Sequence, residues 1–403
     1  MEAGRVAVAD GRGGSPLEVL LVAGRLGLTS FGGPVAHIGY FREEYVRRRA
    51  WLDERSFAEL VALCQFLPGP ASSQLGMAIG LLRAGKLGAL AAWVGFTLPS
   101  AAALVAFAYG VDAFADPGAA WLRGLKLAAV AVVAHAVAGM ARMLTPDVPR
   151  VALALAAAAA ALAVGGVAGQ LGPIAAGAAA GLLLLRPGER DAAPPLGVSL
   201  GRRLAATALA VFALLLAVLP LLRAATGATA VGVVDSFYRA GSLVFGGGHV
   251  VLPLLHAEVV PRGWVTDEAF VAGYGAAQAV PGPLFTFAAY LGAAMEPAPG
   301  GLAGAALALG AIFLPSFLLV AGVLPFWEAV RARPRVRAAV AGVNAAVVGL
   351  LLAALWDPVI SSAVESFADV ALAVALLALL VVRVPPWLVV AAAAAAAVAL
   401  ERI

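Results

Sequence analysis

Ionisable side chains are scarce in this chain. Only 12% of its 403 residues are charged and 63% are hydrophobic, whereas a soluble domain carries about 25% charge. So little polar surface excludes a soluble globular domain and assigns the chain to a bilayer. Lysine is nearly absent, with Lys86 and Lys126 the two in the chain. The basic excess therefore rests on arginines that flank apolar runs. No basic stripe interleaved with aromatics is present, so no nucleic-acid partner is expected. The single cysteine, Cys64, excludes a disulfide framework or thiolate cluster and reads as a small apolar core residue. The four histidines, His37, His135, His249 and His256, show no metal-ligand spacing, and no nucleophile stands beside a base. A membrane-embedded enzyme is therefore not expected, nor is a cofactor or a metal.

Long apolar stretches, by contrast, are abundant: 86–110, 151–167, 172–185, 204–222, 299–325, 338–356, 366–382 and 386–400. Roughly 20 apolar residues cross a bilayer, fewer where the chain bends. Ala and Leu dominate and strand alternation is absent, which favours helices over a β-barrel. The first 16 residues are polar and Gly-rich with no cleavage signal, and read as a disordered lead.

The chain repeats itself. "SFGGPVAHI" (30–38) lies over "VFGGGHVVL" (244–252), so Phe31, Gly32 and Gly33 meet Phe245, Gly246 and Gly247. With one gap, Trp51 meets Trp264, Phe57 meets Phe270 and Gln65 meets Gln278. Pro68, Gly69 and Pro70 then meet Pro281, Gly282 and Pro283, and Leu98, Pro99 and Ser100 meet Leu314, Pro315 and Ser316. Landmarks kept in order indicate internal duplication. The expected organisation is a disordered lead over 1–15, a first repeat over 16–186, a charged, Pro-rich cytoplasmic linker over 187–203, and a second repeat over 204–403 with an extra helix at 204–222. The fold class is an all-α polytopic membrane protein of two homologous halves with broken, re-entrant helices.

Charge sets the orientation. The loop after the first motif carries Arg42, Arg47, Arg48, Arg49 and Arg55, whereas the matching loop of the second half has Arg262 as its one formal cation. The positive-inside rule puts the first loop in the cytoplasm and the second outside, with 331–337 and Arg383 inside and 357–365 outside. The halves are then inverted copies. Helix 204–222 resists this: it has no partner in the first half, and if it crosses fully the helix count favours parallel halves.

Two kinds of interruption recur. Pro-Gly-Pro divides 56–83 into segments too short to span, because proline lacks an N–H and glycine admits unusual dihedrals. The simplest outcome is a hairpin that dips into the membrane and returns. Ser72, Ser73 and Gln74 then open a half-helix at its positive dipole end, an anion-binding arrangement that needs no lysine. In the second half Leu284, Phe285 and Thr286 follow, leaving Thr286 and backbone as donors. "FGGP" (Gly32, Gly33, Pro34) and "FGGGH" (Gly246, Gly247, Gly248, His249) interrupt helices 16–40 and 232–257 and free N–H groups for a ligand. A glycine pair in a membrane helix more often serves close packing, but paired breaks in both repeats point beyond packing. His37 and His249 beside the breaks can donate to an anion or carry a proton. Gln65 and Gln278 either brace the hairpins or meet the ligand. Lys126 is an interfacial anchor or a substrate counter-ion.

Together "SFGGPVAHIGYFREEYV", "QFLPGPASSQLGMAIG", "FGGGHVVLPLL" and "QAVPGP" resemble the chromate ion transporter family in its long, two-domain form, over about residues 16–385. The resemblance implies a multi-pass protein of the bacterial plasma membrane that exports chromate and confers resistance, with homologous, oppositely oriented halves. Its motif positions here are Gly32, Gly33, Pro34, Gln65, Pro68, Gly69 and Pro70, and Gly246, Gly247, Gly248, Gln278, Pro281, Gly282 and Pro283. Alternating access fits the paired breaks. Transport of sulfate or another oxyanion is the alternative. Proton coupling or anion exchange, and monomer or homodimer, stay open.

Overall fold

The computed structural model describes residues 14–401 except 32, 115–119, 165, 186–199, 246–249, 297–298, 328–329, 331–332 and 362. Most of the N-terminal lead and of the linker thus lies outside the described residues. Those described form helices and connecting turns, with no strand among them.

Helix α1 (Pro16–Thr29) starts on a Ser15 cap that accepts the Glu18 N–H. After the Gly-rich break comes α2 (Gly33–Phe41), which runs into a wide helical turn, Arg42–Arg48. Read from sequence, 16–40 is one interrupted helix; in the structure the chain after α2 returns to the end at which α1 starts, with α1 and α2 both packed on the long helix Ala71–Phe114. Glu18, at the start of α1, lies 4.0 Å from Arg49, beyond the end of α2, and 3.3 Å from Arg83. Only a hairpin with the break as its tip brings these ends together. The second hairpin joins α3 (Glu54–Phe66), capped by Asp53, to the first limb of α4 (Ala71–Phe114), with Pro-Gly-Pro at the tip. Non-helical dihedrals at Ala84 and Gly85 end that limb, and the second limb of α4 crosses. Arg49 and Arg83 both lie over the Trp51 ring, so the two hairpins open at one end of the molecule, the arginine-rich end.

Helix α5 (Ala120–Leu144) returns to that end. Short helices α6 (Val148–Val164) and α7 (Gly166–Leu184) form a hairpin that leaves and rejoins it. Helix α8 (Arg202–Thr226) then crosses. The second repeat copies the first from the far end: α9 (Thr229–Leu243), α10 (Val251–Val259), α11 (Asp267–Ala279), α12 (Phe287–Ala294), α13 (Gly301–Val323), α14 (Pro334–Ala354), α15 (Phe367–Val381) and α16 (Pro386–Glu401). Ser236 of α9 donates to Glu258 of α10 at 2.6 Å, so this pair is again a hairpin. Thr266 caps α11 as Asp53 caps α3.

Among the described residues, five helices are long and apolar enough to cross: the long limb of α4, α5, α8, α13 and α14. Two precede α8, and every other element of the first repeat belongs to a hairpin that returns to its origin. Counting α8 as a third crossing, the two repeats start from opposite ends, the inverted arrangement. The contacts agree. Glu296 donates its N–H to the Trp264 carbonyl at the far end, whereas Trp327 Nε1 donates to Glu59 at the arginine-rich end, 3.2 Å away. One sequence expectation changes. Just past Arg383, Trp387 packs 5.8 Å from Phe31 at the first tip. The α15–α16 hairpin therefore turns near the depth of the tips, and Arg383 does not mark a surface loop.

Small residues bring the backbones together, since lipid supplies no hydrophobic drive between helices. Gly27 of α1 packs so closely on α4 that a Cβ there would stand 2.7 Å from the Gly95 carbonyl oxygen, and Gly241 sits likewise on Ile312. Leucines face outward, as Leu21, Leu28 and Leu98 do. If the halves are inverted, single cysteines replacing Arg47 and Glu268 in a Cys64→Ala background will react with a membrane-impermeant maleimide from opposite faces of the membrane. Labelling of both from one face would refute the arrangement.

Candidate functional site

The two Pro-Gly-Pro tips and the two Gly-rich breaks meet in the interior. Gly69 (φ +117°) donates its N–H to the Val244 carbonyl at 2.6 Å, and Gly282 (φ +103°) donates its N–H to the Ser30 carbonyl at 2.9 Å. Val244 and Ser30 each stand two residues before a Gly-rich break, and both are fully buried. Each repeat thus hooks its Pro-Gly-Pro tip onto the other's break. An unpaired N–H or carbonyl at this depth costs several kcal/mol, so the reciprocal clasps close a large local deficit. The tip glycine N–H groups, which the sequence offers to a ligand, are directed at carbonyls. A Cβ at Gly69 would stand 2.6 Å from Gln74 Nε2 and 2.9 Å from Ser316 Oγ, and one at Gly282 would stand 2.8 Å from Ser100 Oγ. Only glycine combines this backbone angle with this crowding.

Ser72, Ser73 and Gln74 open α4 and are buried. Gln74 Nε2 donates to the Pro68 carbonyl at 2.6 Å and lies 3.4 Å from Ser316 Oγ, bracing the first tip against the second repeat. Thr286 donates its hydroxyl to the Pro283 carbonyl at 2.7 Å. His37 is buried, edge-on to Phe96 with its Nε2 3.2 Å from the Ser30 carbonyl oxygen. A carbonyl can only accept, so Nε2 carries a proton, and in neutral imidazole Nδ1 is then a bare acceptor. Among the described residues, Ser30 Oγ, His37 Nδ1, Ser73 Oγ, Gln74 Oε1, Thr97 Oγ1 and Gln278 Nε2 are buried without a hydrogen-bond partner.

Other expected residues lie apart or outside the description. Gln65 is exposed on α3. Lys126 follows Leu125, which packs on Gly275 within α11, so it lies along the second-repeat hairpin and not at its tip. Gly33 (φ +77°) opens α2 beside Pro34, and Pro68, Pro70, Pro281 and Pro283 frame the tips. Gly32, Gly246, Gly247, Gly248 and His249 lie outside the described residues.

Sequence reading missed the charged locks at the hairpin mouths. At the far end Arg223 meets Asp235 at 3.2 Å, Arg239 pairs with Asp235, and Arg262 pairs with Glu258. At the arginine-rich end Glu44 holds Arg49 at 2.8 Å and Arg48 at 3.6 Å. The signal was available: the register that lays Phe31 on Phe245 also lays Glu44 on Glu258 and Arg48 on Arg262. Thr97, immediately before the repeated Leu-Pro-Ser, gave no signal of its own, because its meaning depends on contacts with another segment.

A helical membrane chain of two repeats whose broken helices meet at a common centre has the architecture of a membrane transporter. The chain belongs to the chromate transporter family, which matches residues 17–185 and 231–398. Relatives include a chromate transport protein of Pseudomonas aeruginosa, 31% identical over 83% of this chain and 78% of its own. Another is a chromate transport protein of Cupriavidus metallidurans, 30% identical over 89% and 84%. A probable chromate transport protein of Synechococcus elongatus is 27% identical over 82% and 81%. No solved structure matches.

The clasps predict a sharp contrast among glycines. Gly69→Ala and Gly282→Ala should each destabilise the purified protein by at least about 1–3 kcal/mol from backbone strain alone, read as a lower melting temperature in detergent. Gly310→Ala, with open space at its Cβ, should leave it unchanged.

Proposed function

We propose that this protein carries chromate across the bacterial plasma membrane, outward, by alternating access between its two repeats, and thereby confers chromate resistance. The observation that carries the reading is the reciprocal pair of clasps, Gly69 to Val244 and Gly282 to Ser30. Rocking one repeat against the other must exchange these bonds at the centre. Leaving either partner unpaired at this depth costs several kcal/mol, so each clasp can open only as its N–H and carbonyl gain a new partner, such as water or the anion. The relatives named for chromate favour that anion over sulfate.

Chromate is a tetrahedral dianion and needs donors. The proposed site comprises the N-terminus of α4 with Ser72, Ser73 and Gln74, His37, and the Gly-rich motif at Gly33 and Pro34, with Gly246, Gly247, Gly248 and His249 as its second-repeat counterpart in sequence. Pro68–Pro70 and Pro281–Pro283 hold the tips in place. Neutral donors and a helix dipole bind an oxyanion without a cluster of fixed cations, so release stays easy. The orientation of His37 adds proton linkage. With Nε2–H engaged by Ser30, Nδ1 can donate to an anion only when the ring takes up a second proton. Chromate and a proton then bind together.

Expression in a chromate-sensitive bacterium should lower cellular chromate retention and raise resistance; unchanged retention would defeat the chromate reading, and loss of sulfate instead would select the alternative. In vesicles, chromate affinity should fall as pH rises, because only a doubly protonated ring can donate to the anion from Nδ1. His37→Gln should flatten that dependence, and an identical pH profile in the variant would remove His37 from the proton linkage.

A further inference from the structure

The two repeats share a scaffold but not a lining. In the register of the repeats, Ser30 stands where the second copy has Val244, His37 where it has Val251, Ser72 where it has Phe285, Gln74 where it has Phe287 and Thr97 where it has Phe313. Ser73 corresponds to Thr286, whose hydroxyl is already engaged by the Pro283 carbonyl. The second-repeat positions hold packed rings: Phe285 lies 5.9 Å from Phe313, and Phe287 stacks 5.9 Å from Tyr290.

The first-repeat groups converge. His37 and Phe41 lie one turn apart on α2, and both meet Phe96 edge-on, at 5.3 and 5.1 Å. Gly76 of α4 abuts the Phe41 ring, and Ser73 shares its helix face at i, i+3. Thr97 lies one turn before Ser100, whose hydroxyl donates to the Thr97 carbonyl at 3.1 Å and would stand 2.8 Å from a Cβ on Gly282, and the Ser30 carbonyl accepts from His37 and from Gly282. Ser30, His37, Ser73 and Thr97 are exposed by 0%, 1%, 2% and 1%. Each nevertheless has a side-chain polar atom without a partner among the described residues. A buried hydroxyl with nothing to bond destabilises a fold. These four groups lie at first-repeat positions whose second-repeat counterparts are apolar or already bonded, and they match a ligand that brings acceptors on all its faces.

We infer that the site proposed above is one-sided. Each chain seats a single tetrahedral oxyanion on Ser30, His37, Ser73 and Thr97 of the first repeat. The second repeat supplies apolar walls, through Phe285 and Phe313, and the Gly282 clasp. Ser30 and Thr97 are therefore substrate-contacting residues. The inference rests on the functional reading of the preceding section and adds stoichiometry and two contacts to it.

Equilibrium dialysis of the purified full-length chain in nanodiscs with labelled chromate tests it, with sulfate as a second probe. One anion should bind per chain. Thr97→Val and Ser73→Ala should each weaken binding about tenfold, and Thr97→Ser should restore it. Both losses should accompany an equal or higher melting temperature without anion, because an unpartnered buried hydroxyl has been removed. A merely structural role would lower it. Two anions per chain, or binding by Thr97→Val and Ser73→Ala within about twofold of the parent, would overturn the one-sided site while leaving the functional reading intact. A parent chain that binds neither chromate nor sulfate would overturn both.

Discussion

Everything in this structure depends on the rule that a peptide group in the middle of a bilayer must find a hydrogen-bond partner inside the protein. Four interruptions at mid-depth violate the ordinary helical solution. Pro-Gly-Pro removes two N–H groups and turns the third residue, glycine, sideways; the Gly-rich breaks expose carbonyls such as those of Ser30 and Val244. The fold answers by making each kind of interruption the partner of the other across the repeat boundary. A single repeat cannot satisfy its own tip, and neither half is complete without its inverted copy. This explains why both copies keep both interruptions, which close packing alone does not require.

The same reciprocity organises the periphery. Each pair of hairpins is closed at its mouth by a tryptophan under arginine and by a carboxylate one helical turn from an arginine: Trp51 with Glu44 and Arg48, Trp264 with Glu258 and Arg262. These locks hold the outer ends of the hairpins, while the clasps hold their tips. The short hairpins α6–α7 and α15–α16 and the peripheral helix α8 then wrap a core whose closest approaches run through glycine, as at Gly27 and Gly241.

Much of the fold was legible because its signals are local. Apolar length gave the spans, Pro-Gly-Pro gave the re-entrant tip, and the repeated order of Phe-Gly-Gly, Trp, Gln, Pro-Gly-Pro and Leu-Pro-Ser exposed the duplication. The inversion was legible from arginine placement, yet the helix count opposed it, because nothing in "SFGGP" says whether a broken helix continues or returns. That choice is made by Glu18 meeting Arg49 and Arg83, residues 31 and 65 positions away. At the site, the donors after the first tip stood out by composition. The reciprocal bonds did not, since they join backbone atoms more than 170 residues apart. Gln65 and Gln278 share a position in the two repeats but not an environment: Gln65 is exposed, whereas Gln278 has its amide nitrogen buried.

The symmetry of the clasps has an energetic consequence that the locks then break. The two clasps are alike except that the Ser30 carbonyl also accepts from His37, so any larger difference between the two ends falls to the mouths. At the far end Asp235 and Glu258 are almost fully buried against three arginines. Separating a buried pair leaves an unmatched charge, at about 3–5 kcal/mol. At the arginine-rich end Glu44 is buried, but Glu18, Arg48 and Arg49 are a third to a half exposed, where a pair contributes about 0–1 kcal/mol. Splaying the far mouth therefore costs more than splaying the arginine-rich one. If the arginine-rich end faces the cytoplasm, as its charge implies, the cheaper opening is inward. Under the alternating access proposed above, the far lock is then the costlier of the two to open.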